Sequence, residues 1–212
     1  MKPKHLIAPL IILVVLYIGT HAFAQTRELS LNVGYGMTTT EYQGIKVVLP
    51  FLYDNTREPF YHVGFDYTLT TKNNKISFFT GLNLDNRGVH WPTHSSVNYL
   101  KAPIGFHLNY GNKLRFLAGG GFNVGVLLSE IPNWADYRHF IFGTFLKVGT
   151  GYQISDKYRI MLTYQTNFDL TTMYVRDHQS VSMSHNYRHH RGYDGFLSLS
   201  LYYKIGKVGE GN

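Results

Sequence analysis

The chain has 212 residues, a formal net charge of +7 and no cysteine. This length suits one domain or one barrel. The positive surplus is small and scattered along the chain, which argues against a surface that binds nucleic acid. Without cysteine the fold cannot depend on disulfide bonds, so hydrogen bonds and packing must hold it together.

The N-terminal segment has the features of a secretory signal. Lys2 and Lys4 give a basic start, and residues 6–18 form an apolar run that is too short to cross a bilayer as a helix. A small-x-small cleavage site follows at residues 22–24, which read Ala-Phe-Ala. We predict a cleavable signal peptide over residues 1–24, with a retained membrane anchor as the alternative, and a mature domain over residues 25–212.

The rest of the chain alternates apolar and polar residues with a period of two, which is typical of half-buried strands. In chain order, the eight predicted strands cover residues 29–37, 60–70, 76–84, 100–110, 114–128, 140–154, 158–168 and 194–205. Long loops (residues 38–59, 85–98, 129–138 and 171–192) alternate with short turns (residues 72–75, 111–113 and 155–157). Antiparallel neighbours joined in this way place the short turns on one rim of a barrel and the long loops on the other. We call these the short-turn rim and the long-loop rim.

The two faces of the strands indicate which side of the barrel meets lipid. One face is apolar, with aromatic residues near both rims: Tyr110, Tyr152, Tyr158 and Tyr203 at the short-turn rim, and Tyr35, Tyr61, Phe140 and Phe168 at the long-loop rim. Two aromatic girdles around an aliphatic middle are typical of a membrane barrel. The pattern therefore predicts an all-β fold, an eight-stranded antiparallel up-and-down transmembrane β-barrel. A soluble lipocalin-like barrel that binds a ligand inside is the alternative.

The second face combines charges of both signs with many glycines. Inside a narrow barrel, small residues make room beside long charged ones, and opposite charges can pair. We predict a polar lumen network formed by Asp66, Lys101, His107, Arg115, Lys147, Arg159, Asp169, Asp194 and Lys204.

Three short motifs resemble a known family. The fourth predicted strand opens with Tyr99-Leu100-Lys101-Ala102-Pro103-Ile104, the fifth contains Ala118-Gly119-Gly120-Gly121, and the last contains Leu199-Ser200-Leu201-Tyr202-Tyr203-Lys204. In these motifs the chain resembles the eight-stranded outer membrane β-barrel proteins of Bacteroidetes-type bacteria, the group that includes PorT. The resemblance implies the fold and an outer membrane location, and it implies little about activity.

Histidines in the predicted long loops are the main candidates for further chemistry. We expect His90, His94, His178, His185, His189 and His190 on the long-loop rim, where they would bind a metal or a partner, or remain solvated. A rim His/Ser set, such as His94 with Ser95 or Ser96, or His185 with Ser182 or Ser184, would suit a hydrolase of the lipid A deacylase kind. The sequence contains no phosphate loop, metalloprotease motif or cofactor fingerprint. We therefore expect no enzyme activity, no cofactor and no resident metal.

These observations predict an exported protein of the bacterial outer membrane that contacts membrane lipid. Residues 38–59 and 171–192 are the longest predicted loops, and both belong to the long-loop rim. Because the non-structural sequence is concentrated there, we expect this rim to contact an extracellular or envelope protein or a glycan, in a structural, adhesion or secretion-accessory role.

Overall fold

The computed structural model describes residues 24–41, 58–71, 73, 75–89, 95–129, 135–137, 139–171, 174–177 and 191–207. All of its regular elements are strands: β1 (Ala24–Glu41), β2 (Glu58–Thr71), β3 (Ile76–Val89), β4 (Ser95–Tyr110), β5 (Leu114–Leu127), β6 (Ala135–Tyr137), β7 (Phe140–Gln153), β8 (Tyr158–Asp169), β9 (Tyr174–Asp177) and β10 (Arg191–Lys207). No helix among these residues is long and apolar enough to span a membrane.

Eight strands form a closed antiparallel barrel in the order β1-β10-β8-β7-β5-β4-β3-β2. The first and last barrel strands pair from Thr26 with Lys207 to Glu41 with Arg191, which closes the wall. Closure leaves no unpaired strand edge, a condition that hydrocarbon imposes on any spanning sheet. The predicted fold class is therefore confirmed.

The register gives the stagger of the barrel. From Asp194, successive cross-strand partners around the barrel lead to Glu28 on β1, through Asn167, Phe145, Gly121, Gly105, Phe79 and Thr68. The direct partner of Asp194 on β1 is Thr38, so the circuit closes with an offset of ten residues. With strands about 4.8 Å apart and a rise of about 3.3 Å per residue, this offset tilts the strands by about 40°. A 14-residue strand such as β5 then rises about 35 Å along the barrel axis, enough to span the hydrocarbon core.

Several strands are longer than the alternation predicts. Residues 85–98 were predicted as a loop, but β3 continues to Val89 and β4 begins at Ser95. The prediction is wrong because the outward residues there, Asn86, Gly88, Ser96 and Asn98, are not apolar, so apolar alternation ends before the hydrogen-bonded ladder does. For the same reason β1 extends to Glu41 and β2 begins at Glu58, inside the loop predicted for residues 38–59.

The remaining predicted long loops also contain strand. β6 lies within residues 129–138 and β9 within residues 171–192, and the two pair as a small antiparallel sheet. This sheet joins two connections of the long-loop rim. The short connections between strands, residues 72–75, 111–113 and 154–157, match the predicted turns at residues 72–75, 111–113 and 155–157 to within one residue.

Pro103 interrupts one ladder of the wall. In the described register β4 pairs Ile104 with Thr80 and Lys101 with Asn83 of β3, but Ala102 and Pro103 have no partner on that strand. Proline has no N–H to donate, so a break in the ladder is expected at this position. On its other side Pro103 pairs with Asn123 of β5, so the barrel remains closed.

Candidate functional site

The two faces of the barrel wall have opposite polarity. Outward side chains are large and apolar, and many are about half exposed, as for Leu82 (58%) and Leu146 (61%). Inward side chains are mostly polar or charged, and they are buried, as for Asp194 (0%) and Lys101 (2%). A water-soluble protein buries its apolar residues, so this inverted arrangement indicates an apolar environment around the wall.

Aromatic side chains lie outward near both rims. Tyr110, Tyr152, Tyr158 and Tyr203 are exposed near the short turns, and the rings of the last two lie 5.3 Å apart. The ammonium of Lys113 lies over the ring of Tyr152, 5.6 Å from its centroid. Towards the other rim, Tyr35 and Tyr61 have ring centroids 5.3 Å apart. These are the positions at which membrane barrels have their aromatic girdles.

A network of charges fills the lumen near the long-loop rim. We call it the upper cluster, and it consists of His62, Asp85, Arg87, Lys101, Asp169 and Asp194. Arg87, fully buried, forms ion pairs with the carboxylates of both Asp169 and Asp194. Its Nε donates to Oδ2 of Asp194 at 3.1 Å, and its Nη2 donates to Oδ1 of Asp169 at 3.2 Å.

The rest of the upper cluster connects Asp85 to the same network. The ammonium of Lys101 lies 2.7 Å from Oδ2 of Asp85 and 3.5 Å from Oδ2 of Asp194. Nδ1 of His62 forms a hydrogen bond with Oδ1 of Asp85 at 2.7 Å. Three carboxylates thus meet one guanidinium, one ammonium and one imidazole, so the buried charges are nearly balanced. Such pairing is what makes burial of charged groups tolerable.

A second ion-paired group lies in the lumen near the short-turn rim. We call it the lower cluster, and it consists of Glu28, Leu117, Arg159, Met161 and Tyr202. Nη2 of Arg159 donates to Oε2 of Glu28 at 2.8 Å. The guanidinium also lies over the ring of Tyr202 at 4.3 Å, and Tyr202 packs with Leu117 and Met161 in a buried group. This cluster therefore combines an ion pair with apolar packing.

Between the two clusters the lumen holds both polar and aromatic side chains. Asn32 donates from Nδ2 to Oδ2 of Asp66 at 2.8 Å. Lys147 has its ammonium 5.2 Å from the centroid of the Phe79 ring, on which the imidazole of His107 also stacks at 4.1 Å. We call this level of the lumen the middle tier.

The structure places the predicted lumen residues at three heights. Lys101, Asp169 and Asp194 join the upper cluster, Arg159 joins the lower one, and Asp66, Lys147 and His107 lie between. Arg115 and Lys204 face the mouth at the short-turn rim, where both are only partly buried. Arg115 donates from Nε to the backbone oxygen of Asn112 at 3.1 Å instead of crossing the lumen.

Four acidic, basic or histidine residues of the two clusters were absent from the predicted network: Glu28, His62, Asp85 and Arg87. His62 shares the inward face with Asp66, and Glu28 shares it with Asn32, so alternation alone could have identified both. Asp85 and Arg87 continue the inward phase of Asn83 beyond the predicted end of the strand. Two features of the sequence could have identified Asp85 and Arg87: their spacing of two residues from Asn83 onward, and the need for a cation to neutralise Asp169 and Asp194.

The predicted loop histidines (His90, His94, His178, His185, His189 and His190) lie outside the described residues. Within the described ranges, no group of three or more histidine, aspartate or glutamate side chains is arranged to hold a metal ion.

The closed strand register and the inverted polarity of the wall define the class of this protein, which is an eight-stranded transmembrane β-barrel. No protein-family model matches the chain, and no curated protein matches it. Among solved structures, Neisserial surface protein A has a TM-score of 0.58 at 7% identity, covering 84% of this chain and 97% of that one. The outer membrane protein AlkL in DMPC lipid bilayers has a TM-score of 0.52 at 11% identity, covering 90% and 94%. These likenesses show the fold.

Proposed function

We propose that the chain is a bacterial outer membrane β-barrel protein, exported by a cleavable signal peptide over residues 1–24. One observation carries this proposal: an exposed apolar wall surrounds a lumen filled with paired charges. In water this wall would be a very large exposed apolar surface, far beyond the patches that soluble monomers tolerate. In a bilayer the same surface is solvated by lipid, and the charges stay away from it.

We further propose a non-enzymatic role in which the long-loop rim contacts a partner protein or a glycan. All four long connections leave the barrel at this rim, and the β6–β9 sheet joins two of them. Below them the upper cluster closes the lumen, which favours a binding role for the rim over passage through the barrel. Loops on a rigid scaffold are where binding residues concentrate.

The finer family assignment is also a proposal. In the motif Tyr99-Leu100-Lys101-Ala102-Pro103-Ile104, Tyr99, Lys101 and Pro103 are buried on the lumen side, whereas Leu100 and Ile104 are exposed on the wall. The motif therefore serves the barrel itself: it supplies a lumen cation and a break in one ladder. This supports membership of the PorT-like barrels of Bacteroidetes-type bacteria.

Membrane insertion is tested by fractionation and by gel mobility. We expect the protein in the outer membrane fraction, with a folded band whose mobility changes on boiling, as a closed hydrogen-bonded barrel predicts. Stable solubility without detergent would contradict the proposal and support the lipocalin-like alternative.

The role of the rim is tested by deleting residues 178–190, a segment between β9 and β10. We expect the barrel to fold, judged by the same gel shift, and to lose adhesion to envelope components or a secretion phenotype. Deletion of residues 42–57, between β1 and β2, tests the other long loop of the same rim. If neither deletion changes any such phenotype, the rim has no binding role.

The rival class is a lipid-modifying hydrolase. His94→Ala and His185→Ala each remove a candidate base, and mass spectrometry of lipid A and phospholipids from the host membrane reads out the product. We expect unchanged lipid profiles in both variants. Loss of a modified lipid species in either variant would replace the binding role by an enzymatic one.

A further inference from the structure

A shallow groove runs along the outer wall of the barrel where β4 pairs with β5. Two open hollows follow each other on this ladder, with volumes of about 370 Å³ and about 440 Å³. We call the two hollows together the wall groove. The large side chains beside it are all apolar or aromatic: Phe106, Leu108, Tyr110, Phe116, Phe122 and Leu146.

The floor of the wall groove lies at Ala118 and Gly120, which are consecutive outward positions of β5. An added Cβ at Gly120 would lie 2.7 Å from the backbone oxygen of Phe145, so the wall has no room for a side chain there. The groove therefore stays open to the outside of the barrel, and a hydrocarbon chain lying in it would contact protein atoms on three sides.

Lys75 lines the end of the wall groove at the short-turn rim, and its side chain is exposed. Its backbone oxygen accepts a hydrogen bond from the backbone N–H of Asn109 at 2.7 Å, which holds the start of β3 beside the end of β4. Among the residues that the structure describes, no carboxylate forms an ion pair with Lys75. The groove thus combines an apolar length with one cation at its rim end.

The rim around Lys75 carries a surplus of positive charge. Its other charged side chains that are described and at least partly exposed are those of Arg27, Lys113, Arg115, Lys157 and Lys204, and of Asp156 as the one carboxylate. Such a surplus attracts anionic lipid headgroups at the membrane surface. A second copy of the chain, docked side by side in the same orientation, would bring two cationic rims together, so like charges disfavour it as the occupant of the groove.

The wall groove has the length of one lipid leaflet. From Tyr110 to Ile104, whose partner on β5 is Phe122, β4 advances by six residues. At a tilt of about 40° this is a rise of about 15 Å along the barrel axis, which is half of the hydrocarbon core of about 30 Å. A phospholipid with its phosphate beside Lys75 would therefore have its acyl chain along the whole groove.

We propose that Lys75 and the wall groove form a binding site for one anionic phospholipid of the leaflet at the short-turn rim. The phosphate of the lipid pairs with the Lys75 ammonium, and one acyl chain lies over Ala118 and Gly120. The site rests on the membrane location proposed above, because only a bilayer presents lipid to this face of the wall.

The cation is tested by native mass spectrometry of the purified protein released from detergent micelles that contain added phosphatidylglycerol. We expect each barrel to retain one phosphatidylglycerol, and Lys75→Glu to bind it about tenfold more weakly. Lys157→Glu is the matched control, because Lys157 is an exposed cation of the same rim that lines neither hollow. Its affinity for the lipid should change by less than about twofold.

The groove is tested by Ala118→Phe, which fills the lower hollow from an exposed position. We expect the barrel to fold, judged by its gel shift, and to lose about as much lipid affinity as Lys75→Glu. Val148→Phe is the control, because Val148 pairs with Ala118 on the neighbouring strand and lines neither hollow. If Ala118→Phe does not fold, Ala118→Leu fills the same hollow with a smaller side chain.

Equal lipid retention by the unmodified protein, Lys75→Glu and Ala118→Phe would overturn the inference, and so would equal losses in a variant and its control. A dimer that Ala118→Phe dissociates would also overturn it, since the groove would then be an interface between two copies. A heat-modifiable barrel that retains no phosphatidylglycerol would contradict the lipid site alone. Stable solubility without detergent would contradict the membrane location.

Discussion

Arg87 and Asp169 stand on diametrically opposite strands, β3 and β8, and their side chains meet across the lumen in a two-pronged ion pair. Nη1 lies 2.5 Å from Oδ2, and Nη2 donates to Oδ1 at 3.2 Å. Lys101 on β4 is likewise opposite Asp194 on β10, at 3.5 Å. The upper cluster therefore links opposite walls, which a ladder between neighbouring strands cannot do.

Removing the Arg87 guanidinium should strongly destabilise the barrel. Arg87→Ala leaves Asp169 and Asp194 facing each other in a buried site, and loss of one partner from a buried pair costs about 3–5 kcal/mol. Urea unfolding in detergent or lipid measures this free energy. Arg115→Ala is the matched control, because Arg115 is partly exposed at the mouth and its loss should cost less than about 1 kcal/mol. Equal unfolding midpoints for the two variants would show that the upper cluster does not stabilise the fold.

The lower cluster should show coupling between Glu28 and Arg159. Glu28→Gln leaves the Arg159 guanidinium without its ion-pair partner, and Arg159→Gln leaves the Glu28 carboxylate without its partner. Each single substitution is therefore expected to lower the free energy of unfolding. In the double variant no buried charge is left unpaired, so its loss should be smaller than the sum of the two single losses by about 1–3 kcal/mol. Additive losses would mean that the 2.8 Å contact contributes no coupling.

Alternation could predict the wall because successive side chains of a strand point alternately to the lipid outside and to the polar lumen inside. It located Lys101, Asp169 and Asp194 on the lumen face, and it missed Asp85 and Arg87 two to four residues beyond Asn83. At that height the outward residues are no longer apolar: Asn86 donates from Nδ2 to Oδ1 of Asn98 at 2.7 Å. Once the outer face leaves the lipid, the hydrophobic signal disappears while the strand continues.

Pairing across the lumen could not be predicted from one strand at a time. Which cation meets which carboxylate depends on the ten-residue stagger, since it brings Arg87 level with Asp169 rather than with Asp66. Stagger is a property of the closed circuit of eight registers, and no single hairpin contains it. The sequence predicts the sign of each charge and its place on the inward face of a strand, but it does not predict which residue each charge pairs with.

A side chain at Gly111 should destabilise the turn between β4 and β5. Its φ is 92°, in the left-handed region, and an added Cβ would collide with the backbone oxygen of Leu114. Gly111→Ala should therefore lower the free energy of unfolding by about 1–2 kcal/mol. Gly206→Ala is the control, because a Cβ there meets nothing within 4 Å and its cost should be small. Equal costs at the two sites would show that the β4–β5 turn is not strained by a side chain.

Arginine on the outer wall should cost most at mid-height. Leu146 on β7 and Leu114 on β5 are both exposed leucines, 61% and 54%, but Leu146 lies near the middle of the wall and Leu114 begins its strand at the short-turn rim. In lipid, Leu146→Arg should lower the free energy of unfolding by about 2–4 kcal/mol and Leu114→Arg by about 0–1 kcal/mol. Reversible unfolding from bilayers measures both with the same substitution chemistry. A soluble barrel would hydrate both arginines equally, so similar small costs at the two positions would contradict a wall that faces lipid.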